Sequence, residues 1–410
     1  MIDYLLDWCS LLVRWLHVVA GIAWIGSSFY FVWLDNHLQT PRDPEHTDAG
    51  VAGELWAVHG GGFYHSQKYR VAPQTLPPTL HWFYWEAYTT WLSGFALLTV
   101  LYLVRPEAYL IDPSVAALTQ PTAIGIALGV LVVSWLVYDL LCRSPLGRND
   151  RALGAVLAAL AALLAWGLCQ LFSGRGAFIL FGAALGTIMV ANVLFVIIPG
   201  QRELVRAKRE GRQPDPTPGI RGKQRSVHNT YFTLPVLFAM VSNHSAMTYV
   251  GRYNWVTLIA LSFAGACIRF WFVARHKPEG HRGWLAMLPA ALAIATIVAL
   301  VVALAPARTP RPSELAASPQ QHLPPVVDAA VVRAIVEQRC VPCHATRPTQ
   351  PGFNAPPNGV VLETLNEVRA HLPEVRQQIA LRAMPLGNIT RMTDEERATV
   401  LAWIGHGAVH

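Results

Sequence analysis

Near the carboxy end of the chain stands Cys340-Val341-Pro342-Cys343-His344. Two thiols separated by two residues, with an imidazole directly after the second, suit one chemistry well. Each thiol can add to a vinyl group of one haem while the imidazole reaches its iron. A zinc site would want a second ligand pair and a structural disulfide would have no use for the trailing histidine. The expected cofactor is a covalently attached haem c with His344 as one axial ligand. Met384, followed by Pro385 in a stretch ahead of the last helix, is the expected ligand on the opposite side, with His371 and Met392 as competitors. A thioether there raises the reduction potential and makes the iron a ready electron acceptor.

A second group of reactive side chains crowds the segment from Glu54 to Arg70, where His59, His65, Gln67, Lys68 and Arg70 surround three consecutive glycines, Gly60 to Gly62. Glycines let a backbone approach a ligand closely. The plainer reading is a juxtamembrane segment with aromatic belt residues and basic anchors. Shortly after, His81 and Glu86 place an imidazole and a carboxylate at the start of an apolar run rich in Trp and Tyr, where they could accept protons beside an aromatic pocket. Ionisable groups inside apolar runs are costly and point to function. Arg14 and His17 lie in the first such run, His228 and His244 near the two ends of the sixth, and Asp139 and Arg269 near run ends, where snorkelling or pairing is expected.

The elements that must position these groups are membrane helices. Apolar residues make up 53% of the 410 and charged residues only 14%, about half the charge share of an ordinary soluble chain, and six cysteines are too dilute for a disulfide scaffold. Eight runs are long enough to span a bilayer, near 9–34, 81–104, 121–142, 152–172, 177–199, 229–247, 253–274 and 284–305. With the amino terminus outside, the inner loops hold seventeen Lys or Arg and the outer loops three, which puts both termini on the outer face. The net charge of +7 is concentrated in the inner segment 200–227, so it reads as a topology signal and not as a nucleic-acid patch. Asp3 and Asp7 stand where a signal peptide would be basic, and the first helix is expected to stay in the protein.

Residues 1–305 thus read as a membrane domain, 306–325 as a Pro-rich tether and 326–410 as a compact module with helices near 328–339 and 394–405, the latter opened by a Thr393/Glu396 capping box. The expected fold is all-α: a polytopic bundle of about eight spans plus a small haem module. With its CxxCH and Met-Pro, the module resembles class I cytochrome c domains.

The run Arg14-Trp15-Leu16-His17 through Ser28-Phe29-Tyr30, the segment His59-Gly60-Gly61-Gly62-Phe63-Tyr64-His65, the start of the second span from Trp85 to Gly94, and His228-Asn229-Thr230 through Ser242-Asn243-His244 resemble the membrane-bound urate hydroxylases of the PuuD family, across essentially the whole chain. The resemblance implies an eight-helix membrane domain joined to a cytochrome c, oxidation of urate to 5-hydroxyisourate with water as nucleophile, and electrons passed to the haem in place of peroxide formation. A downstream cytochrome or terminal oxidase would then take the electrons. Such an enzyme would sit in a bacterial-type cytoplasmic membrane with its cytochrome on the periplasmic side. A planar anion needs an aromatic slot, a holding cation or amide, and a base. Gln67, Lys68 and Arg70 are candidates to hold it, and His59, His65, His81 and Glu86 to move protons. If urate reacts near the inner loop, its electrons must cross about 30 Å of hydrocarbon, and a non-covalent haem b between His17 and His244 would be an economical relay. Entry of urate from the outer half would need none. A quinol-linked electron-transfer module, or a haem-handling protein without urate chemistry, is the competing class.

Overall fold

The computed structural model describes residues 2–251, 253–274, 287–304, 327–351, 353 and 355–408, so the expected tether lies outside the described residues. The chain is mostly helical. Its elements run α1 (Ile2–His37), α2 (Pro44–Asp48), β1 (Val51–His59), β2 (Gly62–Tyr69), α3 (Trp85–Leu98), α4 (Pro106–Tyr109), α5 (Gln120–Arg143), α6 (Asp150–Leu171), α7 (Gly174–Asn192), α8 (Ile198–Arg209), α9 (Thr217–Val241), α10 (Ala246–Tyr249), α11 (Asn254–Ala274), α12 (Leu288–Ala303), α13 (Ala329–Arg339), α14 (Val341–His344), α15 (Leu365–Ala370), α16 (Leu372–Ala380) and α17 (Asp394–Gly405).

Among the described residues, five helical stretches are long and apolar enough to cross a bilayer: Trp8–His37 of α1, α5, α6, the continuous Gly174–Arg209 and α11. The other three expected runs also fall on helices, namely α3 with its π-helical extension Thr99–Leu103, α9 and α12. Packing pairs α1 with α3, α7 with α5 and α9, and α11 with α9 and α12. The central core is built on α7, where Phe178, Leu180 and Phe181 are wholly buried among Leu110, Leu168, Phe172 and Leu258. Trp15 and Ile22 of α1 point outward, more than two thirds exposed. Apolar surface on that scale is unstable in water and suited to hydrocarbon.

The all-α expectation needs one correction. Residues 51–69 form an antiparallel hairpin, paired from Val51↔Tyr69 to His59↔Gly62, so that Gly60 and Gly61 make the two-residue turn. Both have positive φ, 58° and 81°, as the twist of a tight hairpin requires. The glycine run therefore serves chain reversal. The first helix also begins at Ile2, ahead of the expected residue 9, which places His17 near the middle of α1.

An ion pair secures the end of the bundle that carries the basic loop. Arg225 of α9, with only 4% of its side chain exposed, donates to Asp139 of α5 at 2.8 Å, and Arg143 reaches the same carboxylate at 2.6 Å. Asp139→Ala should leave the guanidinium buried without its counter-charge, at a cost of about 3–5 kcal/mol. Thermal unfolding in detergent should show a lower midpoint, with Asp139→Glu much closer to wild type.

The helices after residue 327 enclose a hydrophobic core of their own around Val332, Val368, Met392 and Trp403. The Thr393/Glu396 capping box opens α17 as expected, and Arg339 forks onto Glu396 at 2.8–3.1 Å, tying the helix before Cys340 to the last helix. The turn Leu386–Asn388 rests on α4: a Cβ added at Gly387 would lie 3.0 Å from the Ala108 carbonyl oxygen.

Candidate functional site

A cavity of about 590 Å³ opens between four segments that are remote in sequence. The carboxy-terminal half of α1 contributes Trp24, Ser27, Ser28, Phe31 and Asp35; the stretch ahead of α3 contributes His81, Trp82 and Phe83. Opposite them stand the Gly174–Arg209 helix, with Met189, Val193, Ile197 and Gln201, and α9, with Ser226, Asn229 and Thr233. Local structure explains part of this wall. Residues Val193–Ile197 form a π-helical turn, and the extra residue per turn re-aims side chains in the way often seen at functional sites. Phe83 stands edge-on to Phe31 at 4.9 Å and to His81 at 4.7 Å. The result is an aromatic slot with hydroxyls on both walls, Ser27 and Ser28 on α1 and Ser226 and Thr233 on α9, the amides of Gln201 and Asn229 opposite α1, and two titratable groups, His81 and Asp35. A second concavity shares Trp82 and Val205 and adds Arg202, Arg206, Arg209 and Glu210, so the surface next to the cavity carries a net positive charge that favours anions.

Behind the Asn229 wall runs a buried chain of hydrogen bonds. Asn192 Nδ2 donates to Asn229 Oδ1 (2.9 Å) and is 3.0 Å from the Tyr138 hydroxyl, which in turn meets His228 Nδ1 at 2.7 Å. Asn229 Nδ2 donates to the Met189 carbonyl at 3.0 Å. Asn192 Oδ1 is buried without a partner among the described residues. Neutral amides inside apolar runs were the sequence signal for this network, and a search confined to ionisable groups passes over Asn192 and Asn229.

Of the side chains singled out from sequence, His81 lines the cavity. Glu86, in the first turn of α3, does not. Lys68 sits one ion pair away, 2.7 Å from the cavity-lining Asp35. His59 ends β1 beside the turn, and Gln67 lies opposite Glu54 in the hairpin register. Arg70 is exposed, its N–H donating to the Gly50 carbonyl. His65 bonds Glu54 at 3.0 Å, as does His46 at 2.8 Å. The Arg42 backbone N–H, followed by these two imidazoles, holds the Glu54 carboxyl below the usual carboxylate range. Arg269, expected to snorkel or pair, is buried with its guanidinium 3.7 Å over the Phe29 ring.

His17 Nδ1 lies 3.0 Å from the Thr90 carbonyl on α3. A carbonyl only accepts, so Nδ1 carries the proton and Nε2 keeps its lone pair. Gly94 makes this approach possible, since a Cβ there would come within 2.9 Å of the imidazole Cε1. His244 is exposed in the turn Ser242–His244 beyond the end of α9, where Ser242 is buried.

In the carboxy-terminal module, Cys340, Cys343 and His344 follow α13 directly, and His344 Nδ1 lies 2.8 Å from the Val360 carbonyl. By the same reasoning Nε2 is left as a lone-pair donor, and a carbonyl on the far nitrogen is the support that metal-bound imidazoles usually have. These residues fit a haem. Met384 lies in the loop between α16 and α17 with its carbonyl held by Arg397 at 2.6 Å, whereas Met392 is 2% exposed within the core and His371 caps α16.

A family model described as "Urate oxidase N-terminal" matches residues 3–303. No curated protein and no solved structure matches the chain.

Proposed function

Because the chain belongs to the urate oxidase N-terminal family, we propose that it is a membrane-bound urate hydroxylase that converts urate to 5-hydroxyisourate and passes the electrons to its own c-type haem. The observation that carries this reading is the aromatic cavity with its cationic approach, lying inside the region the family covers. Its size falls within the range of small-molecule sites. Urate is a flat anion. Trp24, Phe31, Trp82 and Phe83 offer it faces and edges, while Ser27, Ser28 and Gln201 offer hydrogen-bonding groups to its carbonyls and ring nitrogens.

Loss of two electrons and a proton makes C5 of the purine electrophilic, and water adds there. His81, exposed at the mouth and within the slot, takes the proton that the oxidation or the attacking water releases. Asp35 is tied to Lys68 and serves to hold the α1 wall. The chain from Asn229 through Asn192 and Tyr138 to His228 fixes the polar wall from behind. Cys340, Cys343, His344 and Met384 would hold a haem c, whose chemistry would be one-electron acceptance. The two electrons from each urate would leave the protein for a downstream cytochrome or terminal oxidase.

The distribution of Lys and Arg supports a cytoplasmic-membrane location with the cavity mouth inside and the haem module outside. The rest of Leu386–Asn388 on α4 agrees, since α4 follows the end of α3 remote from His81. That geometry separates the slot from the end of the bundle on which the module rests by roughly 28 Å along α3 and its extension, at 1.5 Å per residue. A haem b relay would bridge such a span, with His17, whose Nε2 is free, as one ligand and His244 of the turn beyond α9 as the other.

The test is spectroscopic. Oxidised protein mixed anaerobically with urate should develop ferrous haem bands, and in air urate loss should proceed without matching peroxide. Stoichiometric peroxide with an oxidised haem, or reduction by quinol and not by urate, would sink the proposal. Acid-acetone extraction then decides the relay: one extractable haem beside one covalent haem, lost in His17→Ala, supports it, and a single inextractable haem excludes it.

A further inference from the structure

The hairpin beside the cavity mouth carries a cluster that the urate reading does not use. His46 Nδ1, His65 Nε2 and Glu54 Oε2 come from α2, β2 and β1, and these three atoms lie within 4.8 Å of one another. Glu54 is only 7% exposed, which is unusual for a carboxylate on a two-stranded surface hairpin. A buried carboxylate calls for a cation. The neighbouring Arg and Lys do not supply one, since Arg42 offers its backbone N–H to Oε1 at 3.2 Å and Lys68 is engaged with Asp35, and the two imidazoles supply one only when protonated.

The surroundings hold the three donors in place. The Arg42 N–H fixes one carboxylate oxygen and leaves the other aimed at both imidazoles. The Trp56 indole stacks flat on the His65 ring, with centroids 4.2 Å apart and planes 6° apart, so the ring has little freedom to rotate. The Asp43 side chain accepts from the Glu45 N–H and opens the short α2 that carries His46, and the bridge between Gln39 and Glu54 joins this strand to the end of α1. Two imidazoles, 33% and 21% exposed and so open to water as a further ligand, and one carboxylate form a donor set for a divalent first-row transition ion.

We propose that His46, Glu54 and His65 bind one such ion, with zinc the best match to this N/N/O set, as a clasp that fastens α2 and the two strands of the hairpin to one another. The site stands apart from both the cavity and the haem module, so the proposal does not depend on the urate reading.

Full-length protein in detergent, stripped with a chelator and re-equilibrated with Zn²⁺ alone, should retain one zinc per chain by elemental analysis, counted against protein from amino-acid analysis. Zinc-edge X-ray absorption should show a first shell of nitrogen and oxygen at about 2.0–2.1 Å without sulfur. Glu54→Gln keeps hydrogen bonding and shape, and His46→Ala removes a ligand from the exposed side. Each should weaken zinc binding by about a hundredfold or more, at least the effect of losing a supporting group behind a ligand, with the haem spectrum retained. No zinc retained by the wild type, a sulfur shell, or equal zinc in wild type and Glu54→Gln would each overturn the proposal. The wild-type measurement stands even if a variant misfolds.

Discussion

Cys340→Ala with Cys343→Ala should yield a protein that carries no covalent haem and shows no absorbance change with urate. The two thioether bonds are the only covalent hold a haem would have here, and His344 alone binds through one coordinate bond. The loss should be complete on a denaturing gel stained for haem, against full signal in wild type. Cys169→Ala and Cys267→Ala supply the comparison, because those thiols sit within α6 and α11 and should leave the stain unchanged. Haem remaining on the doubly substituted polypeptide would remove the carboxy-terminal module from the mechanism. Within this series Met384→Ala should keep the stain and change the ferric and ferrous spectra, since it removes an axial ligand without touching the attachment. An unchanged spectrum would hand that ligand position to His371 or Met392.

The second large effect belongs to the cavity. His81→Gln should slow urate-driven haem reduction by about 10²–10⁴-fold, the usual weight of a positioned acid or base, while dithionite reduces the haem as before. His81 is exposed, so the change should leave stability within about 0.5 kcal/mol. Ser28→Trp should act differently, by filling the slot. Urate kcat/KM should fall at least about a hundredfold, mostly through KM if the indole competes for the same aromatic walls. Stopped-flow reduction over a urate series separates the two patterns. If both variants are reduced by urate at the wild-type rate, oxidation takes place elsewhere, and the outer half becomes the place to look.

The histidines also show how far residue type alone can mislead. His59, His65 and His81 are equally attractive as proton acceptors on paper. In space His81 faces an aromatic slot, His65 is clamped between Trp56 and Glu54, and His59 ends a strand at a turn. What separates His59 from His65 is hairpin register, because side chains on a strand alternate faces; His81 lies beyond the hairpin, in the stretch ahead of α3. The Gly60-Gly61 pair flanked by Trp56 and Val58 on one side and Phe63 and Tyr64 on the other was a readable hairpin signal.

What the sequence determined by itself were the properties carried by contiguous residues. The CxxCH spacing, the capping box at Thr393, the long apolar runs and the excess of Lys and Arg in alternate loops are local patterns, and local patterns follow from covalent geometry and from the cost of putting charge in hydrocarbon. Those helices stand close to where they were expected. Only the tertiary structure decided which residues meet. Trp24, His81, Gln201 and Asn229 converge on one cavity from four segments. His46 joins Glu54 and His65, and Asn192 reaches Tyr138 across 54 residues. Such meetings depend on which helix faces pack and on where a π-turn rotates a wall, and those choices are made by the summed packing of the whole bundle and not by the spacing of any one stretch.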